Sequence, residues 1–324
     1  MRYYDISISD ESGNIVKEWS SLTLGLPNPN AQDVEFDLIS FDASNPMGDS
    51  TVTIWGVSLQ DIGQNFRFGP GQNNPNGYNI VVKGGMSGGL PLENPSQAGQ
   101  IFAGNIWQAW GNWVGSDMNV SFISKSAPYT ITQPGNFAFN WKSGTPLKDA
   151  ITTCLQTAIP NATPSVNIGS NYSTSEDEHG VYSTLSGFAQ HIRAITQTAT
   201  APGVTITGGA TSILVFDQTY TSRTIQLAFT DFMGQPVWVG PYNIQMTLVM
   251  RGDLAVGNYV QMPPPYTNAP GLSVSTPTSY ASYRDQTSFN GTFQIMAIRH
   301  VGRFRDPDSV GWATIIQCTS NVPV

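Results

Sequence analysis

The chain has 324 residues, enough for two or three domains with cores of their own, and it is 40 % hydrophobic but only 11 % charged, under half the usual share of about 25 %. A net charge of −8, with a sequence pI of about 4.7, excludes the clustered Lys/Arg surface that DNA or RNA binding requires. The polar surface must come from Ser, Thr, Asn, Gln and Gly, and a surface so poor in charge suits burial against other chains.

In chain order, residues 1–127 read as β. Tyr4, Ile6 and Ile8 alternate from the start, so no signal peptide is read there, and Ile15–Trp19 returns after the turn Glu11–Asn14. Val34–Phe41 and Thr51–Trp55 alternate again. Ser58–Gln64 suits a short polar helix with Ser58 as N-cap. Tyr78–Lys83 reads as a buried strand between two Gly/Pro-rich loops, Gly69–Gly77 and Met86–Gly99. A long hairpin follows, from Phe102 to Ile123. No apolar run approaches the ~20 residues that span a bilayer.

Residues 128–218 read as a small α+β region. Thr145–Ala158 is an amphipathic helix: Thr145 can cap it, Pro146 suits its first turn, and Leu147, Ile151, Cys154, Leu155 and Ala158 share a face. A second helix, Ser183–Ile195, buries Leu185, Phe188, Ala189 and Ile192, and Val204–Ile206 with Ile213–Phe216 makes a hairpin. Residues 219–324 return to β through Thr224–Phe229, Tyr242–Leu248 and Tyr259–Met262. A Pro/Ser/Thr-rich loop, Pro263–Asp285, then leads to a hairpin from Phe289 to Cys318. That hairpin echoes the earlier one: Phe102, Gly104 and Ile106 are matched by Phe289, Gly291 and Phe293. The repeat suggests two related β-modules, whose hairpins are expected in two separate barrels that superpose.

The densest ionisable cluster is Ser175–His179. Asp177 and His179 could ligate a metal, and Glu176 with Glu178 could act as an acid/base pair. No further ligands stand at suitable spacing, and a solvated acidic turn is the favoured reading. His191 falls on the polar side of the second helix, and His300 is assigned a structural hydrogen bond. Cys154 and Cys318 do not make a disulfide framework and are expected as buried, free thiols, as suits a reducing cytosol. The sequons at Asn119, Asn161, Asn171 and Asn290 read as chance in an Asn-, Ser- and Thr-rich chain. No catalytic residue, cofactor or metal ligand is assigned. Trp107, Trp110 and Trp113 are the candidate interface residues, because exposed Trp concentrates at hot spots. Strand geometry sets Trp107 and Trp113 on one side and Trp110 on the other if no bulge intervenes.

Taken in order, Asp231–Trp238, Met250–Pro263, Phe289 with Gly291, Ile298, His300 and Gly302, and Trp312 with Thr314 resemble the C-terminal module of baseplate hub proteins of contractile-tailed bacteriophages. That group is related to late control protein D and to the hub part of type VI secretion spikes. Thr51–Trp55, Tyr78–Val82, Gln100–Ile106 with Asp117, and Gly144–Ile151 are similar to the same family. The expected architecture is β-rich (α+β): a first β-barrel module over 1–127, a middle α+β region over 128–218 and a second β-barrel module over 219–324.

The resemblance implies a structural homotrimer, a pseudo-sixfold ring joining the hexameric tail tube to the trimeric central spike. The tape measure and other baseplate proteins are further partners. The place implied is the virion tail, after synthesis in the host bacterial cytoplasm. Two rivals stand beside it: another tail or tube-end adaptor, and a cell-wall-degrading glycosidase, which needs two placed carboxylates that the spacing of the 22 acids does not single out.

Overall fold

Strict apolar alternation builds the first strand. In the computed structural model, which describes residues 2–41, 49–71, 77–86, 94–126, 135–160, 162–198, 203–208, 212–240, 243–263 and 291–320, β1 (Arg2–Ser9) turns Tyr4, Ile6 and Ile8 to one fully buried face. β2 (Ile15–Ser20) returns beyond a turn in which Asp10 accepts from Asn14 N at 2.8 Å. A short ladder joins β3 (Leu22–Thr23) to β4 (Leu26–Pro27). β5 (Asp33–Phe41) pairs with β6 (Ser50–Trp55). Helix α1 (Leu59–Gln64) is capped reciprocally, as the sequence suggests: Ser58 Oγ accepts from Asp61 N at 3.2 Å, and the Asp61 carboxylate accepts from Ser58 N at 3.3 Å. β7 (Asn79–Met86) leads to the hairpin of β8 (Gly99–Val114) and β9 (Asp117–Lys125). The loop stretches 72–76 and 87–93 lie outside the described residues.

The middle region holds β10 (Phe137–Trp141), α2 (Leu147–Ala158), β11 (Thr163–Asn167), β12 (Glu178–Tyr182), α3 (Leu185–Thr196), β13 (Thr205–Gly208) and β14 (Ser212–Phe216). Both helices bury the faces expected of them. Capping differs at α2: the cap position is Pro146, with no side-chain cap bond, while Thr145 Oγ1 donates to Lys142 O at 2.7 Å. At α3 the cap is Thr184, which accepts from Gly187 N at 3.0 Å. β12 pairs with β10, so Glu178 and His179 open a strand rather than lie in a turn. β11 runs parallel to β14.

In the second half come β15 (Thr224–Gln226), β16 (Val237–Trp238), β17 (Asn243–Val249), β18 (Tyr259–Gln261), β19 (Thr292–Arg303) and β20 (Trp312–Ser320). The strand expected at Thr224–Phe229 stops early, because Phe229–Asp231 forms a 3-10 turn. The Pro263–Asp285 loop beyond Pro263, and the sequons Asn161 and Asn290, lie outside the described residues.

Three buried clusters organise these elements. One draws on residues from Tyr4 to Phe122, with Met250 and Trp312 added; a second spans Phe137–Val215; a third spans Ile225–Cys318. The β-rich class holds, but the placement of the hairpins is corrected. Both belong to one continuous 13-stranded sheet, ordered β16-β17-β20-β19-β5-β6-β9-β8-β7-β1-β2, with β18 on β19 and β15 on β18. The physical cause is the length of β19: its outer half, 297–303, runs past β18 and takes β5 along its edge. What repeats is strand order. Each half runs β5-β6-β9-β8-β7-β1 or β16-β17-β20-β19-β18-β15, and the halves part at the last step, where β1 is antiparallel to β7 but β15 is parallel to β18.

Candidate functional site

The residues of the last hairpin meet those of the first half along the β5–β19 seam. Ala297–Arg303 pairs with Glu35–Phe41, and Arg299 grips Asp37 through two bonds of 2.8 and 2.6 Å. A side chain at Gly302 would overlap the Phe36 ring, which lies on its backbone. Trp312 packs into the first core beside Phe36, with ring centroids 5.2 Å apart, and donates from Nε1 to Gly85 O at 3.0 Å. Arg2 completes the closure: its guanidinium donates to the carbonyl oxygens of Arg303, Asp306 and Asp308 and lies over the Trp312 ring.

Beside this seam, a buried ion cluster ties the turn after β17 to both halves. Arg251 is 2 % exposed. It donates to both Asp253 oxygens at 2.7 Å and to Asp231 Oδ2 at 3.0 Å. Burial works against its charge, but the bonds to Asp253 and Asp231 outweigh that and hold the guanidinium above its ordinary pKa. Asp231 also accepts from Ala228 N at 2.8 Å and from Gln97 Nε2 of the first half at 2.9 Å. The backbones touch as well: Gly252 N donates to Gln97 O at 2.6 Å, and a Cβ at Gly252 would fall 2.8 Å from the Gly99 carbonyl carbon. Sequence reasoning missed this cluster, although Asp231, Arg251 and Asp253 all stand in its quoted motifs.

Thr314 links the cluster to the buried His300. Its Oγ1 accepts from Arg251 N at 3.0 Å and lies 3.0 Å from His300 Nδ1, the structural role the sequence assigns to this histidine. Burial pushes the imidazole down to about 3. The unfolded chain binds a proton here below about pH 6.5, while the folded chain refuses it until about 3. Stability contributed at this position is therefore complete above pH 6.5 and is lost as pH falls, by up to about 1.4 kcal/mol per pH unit. Urea melts at pH 7 and pH 4.5 test this: His300→Gln should lose less stability between the two than the parent chain, and equal losses would refute it.

A cleft of about 440 Å³ adjoins the cluster, with Phe102 from the first half, Thr207 from the middle region and Leu254, Val256 and His300 from the second among its walls. The acidic cluster lies elsewhere. Asp177 accepts from Ser143 N at 2.8 Å and Lys142 Nζ at 2.9 Å, while Glu178 Oε1 lies 3.5 Å from His191 Nε2. His191 is not on an open face: its ring stacks on Tyr182 at 5.0 Å and meets the edge of Phe139 at 5.8 Å. Among the described residues, no three His, Cys, Asp or Glu side chains are placed to share a metal. Both cysteines are buried and free, and burial raises their thiols, Cys154 to about 12.

The tryptophans divide. A bulge at Trp107 breaks the strand geometry assumed for the three; Trp107 is half-buried, with Lys125 Nζ 5.0 Å from its ring centroid. Trp110 and Trp113, near the tip of the β8–β9 hairpin, are 40 % and 61 % exposed.

No family model and no curated protein matches the chain. Solved structures share its fold, among them these three. A tail protein from Neisseria meningitidis aligns over 98 % of this chain and 97 % of its own, at 10 % identity and a TM-score of 0.53. A 43 kDa tail protein of prophage MuSo2 from Shewanella oneidensis aligns over 98 % of both chains, at 10 % identity and a TM-score of 0.51. A component of the E. coli type VI secretion system, described as structurally similar to the T4 bacteriophage tail proteins gp27 and gp5, aligns over 91 % of this chain and 75 % of its own, at 8 % identity and a TM-score of 0.51. The fold is that of phage tail and secretion-system proteins, the group its motifs resemble. No helix among the described residues is long and apolar enough to cross a membrane.

Proposed function

We propose that the protein is a structural subunit of a phage tail baseplate hub. Three copies close into a ring of six similar sheet halves, one side seated on the hexameric tail tube and the other on the trimeric central spike. The observation that carries this reading is the repeated strand order within one continuous sheet. A chain that already joins two equivalent halves side by side supplies, in threes, the six units that a sixfold tube presents. The shared fold of tail proteins and a secretion-system component supports the same place, and so does the 11 % charged content, which suits broad neutral contacts. The reading assigns no catalytic residue, cofactor or metal. The tape measure and other baseplate proteins are further contacts, and the virion tail is the location.

Native mass spectrometry tests it. The expected particle is about 105 kDa, three chains of 35.0 kDa. Its mass should change little with salt, because the contacts are mostly uncharged. The measurement is repeated with the spike present, in case the spike is needed to close the ring. A monomer in both arms removes the hub assignment and leaves a tail protein of another position, such as a tube-end adaptor.

A further inference from the structure

The two sheet halves correspond residue by residue on their ladders. β8 keeps β7 as far as Asn105, bulges at Trp107 and ends at Val114. β19 keeps β18 as far as Gln294, bulges at Met296 and ends at Arg303. Each of these pairs is 189 positions apart (294 − 105, 296 − 107, 303 − 114). The stretch 297–303 of β19, which β5 covers, therefore corresponds to 108–114 of β8. Among the described residues, 108–114 pairs with β9 alone: α1 and the turn Asn65–Phe68 pack against β8, but no described strand takes its other edge.

The partner strand has a counterpart too. Thr51 of β6 and Gln245 of β17 are equivalent through their pairings with Ile123 and Gln317. Asp37 pairs with Thr51, and Val237 pairs with Gln245, so β16 stands in the second half where β5 stands in the first. β16 is the last strand at its side of the sheet among the described residues.

Resting on the trimer reading, the geometry points to a specific junction between copies: β16 of one copy adds to the open edge of β8 of the next, in the register that β5 uses on β19. Asp37 faces Val301 and Ile39 faces Arg299 inside the chain, so Val237 faces Asn112 and Val239 faces Trp110 between copies. The chemistry of the exposed face agrees. Where the internal seam carries Arg299 bonded to Asp37, the open edges carry Trp110 and Val237. These are 40 % and 55 % exposed, and Val239 beside them is 54 % exposed, so apolar surface meets apolar surface. An uncovered strand edge is a ready template for another strand. The contact is head-to-tail, and three internal seams alternating with three such junctions give a ring of six.

Two measurements test the junction. Asn112→Cys with Val237→Cys, oxidised, should give a disulfide-linked ladder that stops at three chains, while either single variant stays uncrosslinked; the native cysteines are buried and silent. Separately, Trp110→Arg should leave a folded 35.0 kDa monomer, and Trp110→Arg with Val237→Asp should restore the trimer in a salt-sensitive form by copying the Arg299–Asp37 pair. A native trimer without cross-links and without this rescue overturns the junction alone. A monomer of the unmodified chain, with and without spike, overturns the trimer and the junction together. A ladder continuing past three overturns the ring.

Discussion

Arg251→Ala is expected to destabilise the protein by about 3–5 kcal/mol, the cost of leaving buried carboxylates without their cation. Asp231 and Asp253 both face the guanidinium from nearly dry positions. With it gone, each carboxylate is left in its buried site without its cation, and the Gln97 contact to Asp231 loses its anchored partner. Urea unfolding at pH 7 measures the loss. Arg251→Lys keeps the charge but not the two-pronged grip on Asp253, so it should fall between the two. An alanine variant within 1 kcal/mol of the parent would show that the cluster is solvated in solution.

Trp312→Ala should cost about 3–5 kcal/mol, the usual range for deleting a buried large aromatic. The ring belongs to the final hairpin by sequence and to the first core by packing, against Phe36 and Phe304 and beneath Arg2. Its loss should therefore loosen both halves. Amide exchange should quicken together in β1, in β5 and in the outer half of β19. Trp312→Phe keeps most of the packing and loses the Nε1 bond to Gly85 O, a difference of about 1 kcal/mol. If exchange quickened in the last hairpin alone, the two halves would be independent units that merely touch.

Local periodicity is the part of this fold that the sequence displays. Tyr4, Ile6 and Ile8, the buried stripe of α3, and the alternation of β17 follow directly from period-two and period-3.6 patterns. The hairpin echo was legible in kind but displaced: Phe102 and Phe289 are 187 apart, whereas the ladders repeat at 189. A shift of two preserves the faces of a strand, which is why the echo could point to the right pair of hairpins. β12 was hidden because Glu178, His179 and Gly180 carry no apolar alternation, so its pairing with β10 is settled by tertiary context. The Arg251 cluster was hidden for a different reason. A charged residue in a chain is read as surface unless its partners are known, and here one partner lies twenty positions upstream and another belongs to the cluster's own turn. The candidate tryptophans were visible as residue types, but the bulge that reorients Trp107 and the uncovered edge beside Trp110 arise only from pairing.

The β5–β19 ladder also sets a timetable. Phe41 and Ala297 pair across 256 positions, so β5 is made long before the strand that covers it exists. At roughly 5–20 residues per second, synthesis leaves that edge waiting on the order of ten seconds to a minute. Throughout that interval the first core also lacks Trp312, and for most of it Met250, and cannot finish packing. A chain that stops short of β19 thus keeps that open edge and lacks Trp312 from its core, marking it for aggregation or proteolysis before it can enter a ring.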